Sequence, residues 1–213
     1  YCERVGPGIF AEPINTFTNL FFLMAAGYCA HLARCTDRCD AMLLAFLLGA
    51  IGIGSAMFHT FATNWAQLLD VIPIALFQIT YVWLYLRRIV LLNFTAGVMF
   101  SSLFATAIYF ASLFPGLLNG SLSYLPSLIT LVLIGIFHYW ARRPGISVIF
   151  TANLLFLVSL AARTSDRFLC VYWSTGTHFI WHSLNALVLA LLSYIYVKNV
   201  EGGERRAGNT HPT

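Results

Sequence analysis

Ser55, His59 and Asp70 in the stretch GIGSAMFHTFATNWAQLLD, and His178 and His182 in GTHFIWHSLNA, are residue types that together can run a metal-assisted hydrolysis. Positions i and i+4 of a helix share a face, so His178 and His182 can hold one ion from a single helix, and Ser55 stands one turn behind His59. Three imidazoles plus a water make an open tetrahedral zinc site of the catalytic kind, in which the metal brings the pKa of its water to about 7 and polarises a carbonyl. Asp70 then suits a general base or an orienter of that water, and Ser55 a hydrogen-bond donor to a developing oxyanion. A His-x-x-x-His pair alone is often coincidence, and Ser55 alone could bond back to the carbonyl of Ile51. The reading therefore depends on whether the elements carrying these five residues bring them to one place.

Those elements are membrane spans. The chain is 59% hydrophobic and 9% charged, with a mean hydropathy of +0.77, where an ordinary soluble domain carries roughly 25% charged residues. Crossing a hydrocarbon core takes about 20 helical residues. Apolar runs of suitable length lie near residues 15–33, 41–61, 67–86, 89–113, 122–141, 145–162 and 174–197. The expected fold is all-α, seven transmembrane helices in one bundle formed by residues 1–200, followed by a polar, disordered tail over 201–213. Short connections marked by Pro115-Gly116, Gly120 and Pro144-Gly145 leave no room for a second domain, and no repeat suggests a transporter built from inverted halves. Tyr1 is not a Met, so further residues, a signal peptide among the options, are expected to precede it.

Orientation follows from the basic residues, which concentrate on the cytoplasmic side of short loops. The ends after spans one, three, five and seven hold nine: Arg34, Arg38, Arg87, Arg88, Arg142, Arg143, Lys198, Arg205 and Arg206. The opposite side holds three, Arg4, Arg163 and Arg167. This puts the N-terminus outside and the C-terminus in the cytoplasm. His59 comes eighteen residues after Ala41, so it lies ~27 Å along span two at 1.5 Å per residue, near its outer end. Asp70 stands about one turn inside span three from that same end, and His178 and His182 open span seven there. Four residues on independent spans arrive at one depth.

The remaining ionisable groups do not compete for this role. Only Asp70 of the eight acidic residues is assigned to a span; Glu3, Glu12, Asp37, Asp40, Asp166, Glu201 and Glu204 are assigned to loops or tails. His31 and His138 lie near cytoplasmic helix ends and His211 in the tail, while Trp65, Trp83, Trp140 and Trp173 fit the aromatic belt of a membrane boundary. Ionisable groups inside a bilayer are costly, so the cluster that is left marks a function. No basic run interleaved with aromatics points to a nucleic-acid partner, and no obligate protein partner is implied. The sole lysine, Lys198, sits at the far end of span seven, which excludes a retinal Schiff base.

The elements CE, AEPxNTxTN, GxGSxxFHT followed by QLLDxxPI, and HxxxH near the start of span seven resemble the alkaline ceramidase family, within a seven-span metal-hydrolase superfamily that includes adiponectin-receptor-like proteins. The resemblance covers nearly the whole chain in order and looks like a bacterial-type member. It implies a zinc-dependent amidase that splits ceramide into a sphingoid base and a fatty acid. On its motifs, His59, His178 and His182 are the zinc ligands, Asp70 the catalytic carboxylate and Ser55 the oxyanion-stabilising serine. It also implies a disulfide between Cys2 and Cys170; Cys35 and Cys39 face the cytoplasm and are expected to stay thiols, and Cys29 to be a buried apolar residue.

The match departs from the family at its calcium site, which lies near the zinc in eukaryotic members. Tyr1, Cys2, Glu3 and Glu12 correspond, but Val5 occupies an Asn position, the preceding acid is not in the chain, and the segment between Glu3 and Glu12 is about two residues shorter. Calcium takes six to eight oxygens, so Tyr1, Glu3 and Glu12 with backbone carbonyls supply part of a sphere; alternatively Glu12 caps the start of span one. Three functional readings stand: a ceramidase-like amidase taking its substrate from the bilayer, a related lipid hydrolase acting on an ester or another acyl-amide, and a seven-helix receptor in which zinc is structural. The compact loops suit a bacterial inner membrane, with an organelle membrane as the alternative.

Overall fold

The computed structural model describes residues 1–208, with side chains placed up to Gly203. Within the described residues there is no strand. The helices are α1 (Pro13–Thr18), α2 (Leu20–Cys35), α3 (Cys39–Phe61), α4 (Asn64–Arg88), α5 (Phe94–Ser112), α6 (Leu125–Trp140), α7 (Ile146–Leu169) and α8 (His178–Gly208). The short α1 and α2 form one span, and an irregular segment, Leu117–Tyr124, leads into α6, so seven helical units are long and apolar enough to cross a membrane. The chain is an integral, multi-pass membrane protein. Of the polar tail expected over 201–213, the described part continues α8 to Gly208, and residues 209–213 lie outside the described residues.

Two helices form the centre. Half of the most apolar stretch of α3 and 61% of that of α8 are buried, against 17–28% for the other spans, whose outer faces carry the exposed Leu, Ile and Phe side chains that meet lipid. The α3 helix packs on α2 and α4, and α8 on α2 and α7. Away from the histidines, the Tyr196 hydroxyl of α8 donates to Asp40 of α3 at 2.6 Å, tying the two central helices at that end.

The α3–α4 corner sets the site. Ala62, at φ +49°, stops α3 in the left-handed region and donates its N–H to Phe58, so α4 starts two residues later. Pro73 lies inside α4 and has no N–H to give the carbonyl four residues back, that of Leu69. This freed carbonyl faces Gly54 of α3: a Cβ added there would lie 1.9 Å from Leu69 O. Only glycine lets the two backbones approach this closely, an arrangement in which a Cα–H can point at the carbonyl. The contact aligns the next residue of each helix, Ser55 and Asp70. Gly54→Ala is expected to force α3 from α4 at a cost of about 1–3 kcal/mol or more. Thermal unfolding in detergent would read this as a drop of several degrees; an unchanged midpoint would rule out the close packing.

The structure moves four charged residues from where the apolar pattern had put them. The sixth span does not end near 162 but continues as helix to Leu169, so Arg163 and Asp166 are helical residues rather than loop charges. Asp166 is fully buried. The inward face runs Ala152, Phe156, Ser159, Arg163, Asp166, Cys170, a helical spacing that a hydropathy window loses once charged residues enter. Asp40 likewise lies in the first turn of α3, and Glu201 within α8.

Candidate metal centre

His59 on the last turn of α3 and His178 and His182 on the first turns of α8 converge. Their ring centroids lie 5.1, 4.7 and 4.6 Å apart for His59–His178, His59–His182 and His178–His182. One ligating atom from each falls within 4.8 Å of the others. All three rings are at most 2% exposed. Three imidazoles buried this close, with two ring nitrogens lacking any partner, are costly unless something uses those lone pairs.

What holds each ring comes from the N-terminal segment. Glu12 Oε2 lies 2.6 Å from His59 Nδ1. Since that carboxylate also accepts from Arg4 and Asn15, it acts as acceptor and the imidazole as donor, which leaves His59 Nε2 with no protein partner. Burial opposes ionisation of Glu12, but the hydrogen bond and charge of His59, then the bonds from Arg4 and Asn15, hold its carboxyl down to about 2. The Thr18 hydroxyl donates to the Ile14 carbonyl and lies 3.0 Å from His182 Nδ1, so His182 Nδ1–H donates to it and Nε2 is left over. Tyr1 stacks on His178 at 3.7 Å, and His178 Nδ1 has no partner. A carboxylate or hydroxyl on the far nitrogen is the usual support of a metal-ligating histidine. A donor set made only of imidazoles, with His59 Nε2 and His178 Nδ1 lacking any partner, fits zinc.

A polar pocket adjoins the cluster. Ser55, Gln67, Asp70, Arg163, His178 and His182 line it, and Ser55 and Asp70 meet as hydrogen-bonding neighbours. Asp70 is in the second turn of α4 and is no part of the histidine triangle. Arg163, counted among outer-side charges by sequence, turns out to point into this pocket: its Nη1 donates to the Tyr1 hydroxyl at 3.3 Å, and its guanidinium lies over the rings of Tyr124 and Trp181 at 5.3 and 5.2 Å. Tyr124 is held there by the turn before it, where Leu118, Asn119 and Gly120 all have positive φ and Asn119 donates to the Arg163 carbonyl. An apolar cavity adjoins the polar one. Phe22, Ile51, Ile74, Tyr124 and Trp181 line both, and Phe77, Phe104 and Leu131 carry the cavity deeper among the helices.

Asp166 positions the start of α8. Its Oδ1 accepts from the N–H groups of Thr177 and His178 at 2.7 and 3.0 Å, and its Oδ2 from that of Cys2 at 3.2 Å. A carboxylate at a helix N-terminus satisfies donors that have no partner inside the helix. Cys2 and Cys170 form the disulfide that the family resemblance implied, one turn from Asp166. Cys29 is buried, and Cys35 and Cys39 are free.

The residues expected to bind calcium do not fit it. Glu3 spends both oxygens on the N–H groups of Ile14 and Asn15, at 2.6 and 2.8 Å, so it and not Glu12 caps α1. Glu12 turns inward to His59 instead, because its neighbours there are cationic or donating. Tyr1 stacks on His178, and its hydroxyl is taken up by Arg163. The oxygens that remain are collected by a guanidinium, that of Arg4.

A family model described as Ceramidase matches residues 1–202. The chain belongs to the Ceramidase family. No curated protein is a significant match. As a ceramidase-family member with seven spans, the chain is a membrane hydrolase acting on ceramide. Of the motifs that carried the resemblance, Ser55, Gln67, Asp70, His178 and His182 line the polar pocket, and the N-terminal one supplies Glu12 and Thr18 beside the rings of His59 and His182.

Proposed function

We propose that this ceramidase-family chain is a zinc-dependent amidase that hydrolyses the amide of ceramide-like sphingolipids taken from the bilayer. What supports this reading above all is the meeting of three buried imidazoles with Ser55 and Asp70 where a polar pocket adjoins an apolar one. His59, His178 and His182 would hold the metal. When bound, zinc supplies a Lewis acid that acidifies water and polarises a carbonyl.

The protein's own groups supply the rest. Glu12 and Thr18 hold the rings of His59 and His182 in the tautomer that keeps Nε2 free. Asp70 takes a proton from the attacking water and delivers it to the amide nitrogen, so that C–N cleavage releases a neutral amine and a carboxylic acid. Ser55 donates to the carbonyl oxygen as negative charge builds on it. The apolar cavity takes an acyl or sphingoid chain, and its place beside the polar pocket sets the amide beside Asp70. The nine-to-three distribution of basic residues supports reading this end of the bundle as the non-cytoplasmic side, and the short connections support a bacterial inner membrane.

Purified protein in mixed micelles should release fatty acid from ceramide, lose that activity on chelation, and regain it with zinc. His59→Ala and His182→Ala should each fall at least about a thousandfold, the loss of several kcal/mol of transition-state stabilisation, and should bind less than one zinc per chain. Full turnover in either variant would refute the assignment.

A further inference from the structure

Arg4 packs against the histidine cluster in a cradle of oxygens. Its Nε donates to Glu12 Oε1 at 2.5 Å, its Nη2 to the backbone carbonyl of His59 at 2.7 Å, and its Nη1 to the carbonyls of Gly6 and Gly8 at 3.4 Å each. One carboxylate and three carbonyls from two distant segments therefore converge on one cation, the kind of oxygen set a hard metal ion would use. The fork brackets the Glu12–His59 contact from both ends, gripping the carboxylate that holds the ring and the backbone that carries it. Glu12 is only 3% exposed, so its charge needs a fixed partner when His59 is neutral and ligating.

We propose that Arg4 is a positioning residue that stands in for a bound cation: its guanidinium fixes Glu12, and through it the His59 imidazole, and makes the centre independent of calcium. The inference rests on the zinc reading of the cluster. A planar guanidinium can bond two acceptors in fixed directions, which an ammonium cannot, so lysine is not an equivalent.

The test uses the full chain purified in detergent, with two readouts besides activity: binding of radioactive calcium at equilibrium, and zinc retention against a competing chelator. The wild type should bind no stoichiometric calcium up to about 1 mM, the weak end of calcium sites. Arg4→Gln should hold zinc about tenfold more weakly, as expected for loss of an outer support, and Arg4→Lys should fall between them with unchanged helical content. One calcium bound per wild-type chain would overturn the proposal, as would wild-type zinc retention in Arg4→Gln or Arg4→Lys. If the wild type holds no zinc, the proposed function fails and this inference with it; if zinc is held and ceramide cleaved but Arg4→Gln retains zinc normally, this inference alone fails.

Discussion

Asp70→Asn is expected to lower kcat for ceramide by about 10²- to 10⁴-fold, the range for loss of a positioned acid–base group, while zinc content and melting temperature stay near wild type. The substitution keeps the shape and the contact with Ser55 but removes the proton acceptor. Asp70 lines the polar pocket but is outside the group of three histidines that could hold a metal, so metal retention should not follow activity. That separation is what distinguishes a proton carrier from a fourth ligand. Kinetics in mixed micelles and metal analysis of the same preparation decide it. Turnover within a factor of a few of wild type would remove Asp70 from the mechanism, and a parallel loss of zinc would make it a ligand.

Asp166→Ala should be the most damaging change in the chain, though nothing places Asp166 in the pocket. Three backbone N–H groups, from Thr177, His178 and Cys2, converge on this one fully buried carboxylate. Hydrogen bonds to a charged group contribute about 1.5–3 kcal/mol each, and donors left buried cost more. The combined loss exceeds about 4 kcal/mol, in the range reserved for broken buried networks. Without the cap, the start of α8 that carries His178 loses its anchor, and Cys2 loses the contact that sets it beside Cys170. The expected outcome is a protein that does not elute as a single species and in which both cysteines react with a thiol probe. A variant that melts within a few degrees of wild type with the disulfide intact would show that the network is dispensable.

The histidine cluster was legible because its geometry is local and periodic. His178 and His182 are one turn apart, and His59 and Asp70 flank a single helical corner, so counting residues along a helix was enough to bring them to one depth. Ser55 followed from the same counting, whereas its close approach to Asp70 depends on Gly54 and the carbonyl freed by Pro73, which no periodicity announces. The family resemblance makes Glu12 a calcium ligand and helix geometry makes it a cap, but neither reaches its partner His59, 47 residues away. Asp166 and Arg163 were lost at a boundary drawn where hydropathy falls. They belong to α7 nonetheless, because their charges turn inward to Cys2, His178, Tyr1 and the pocket, and never meet lipid. Membrane hydropathy reports what faces the bilayer, and a span that ends in the wall of a polar pocket is invisible to it.

The three ring supports, Tyr1, Glu12 and Thr18, all precede the second helix, while two of the rings they hold arrive with the last. Thr18 and His182 are 164 residues apart. At a synthesis rate of about 5–20 residues per second, the N-terminal segment waits on the order of ten seconds or more for its partners. On the proposed metal reading, all three ligands are present together only once the final span is inserted, and the disulfide from Cys2 to Cys170 joins the same early segment to the residues just before that span. A nascent chain interrupted before α8 carries one histidine of the three.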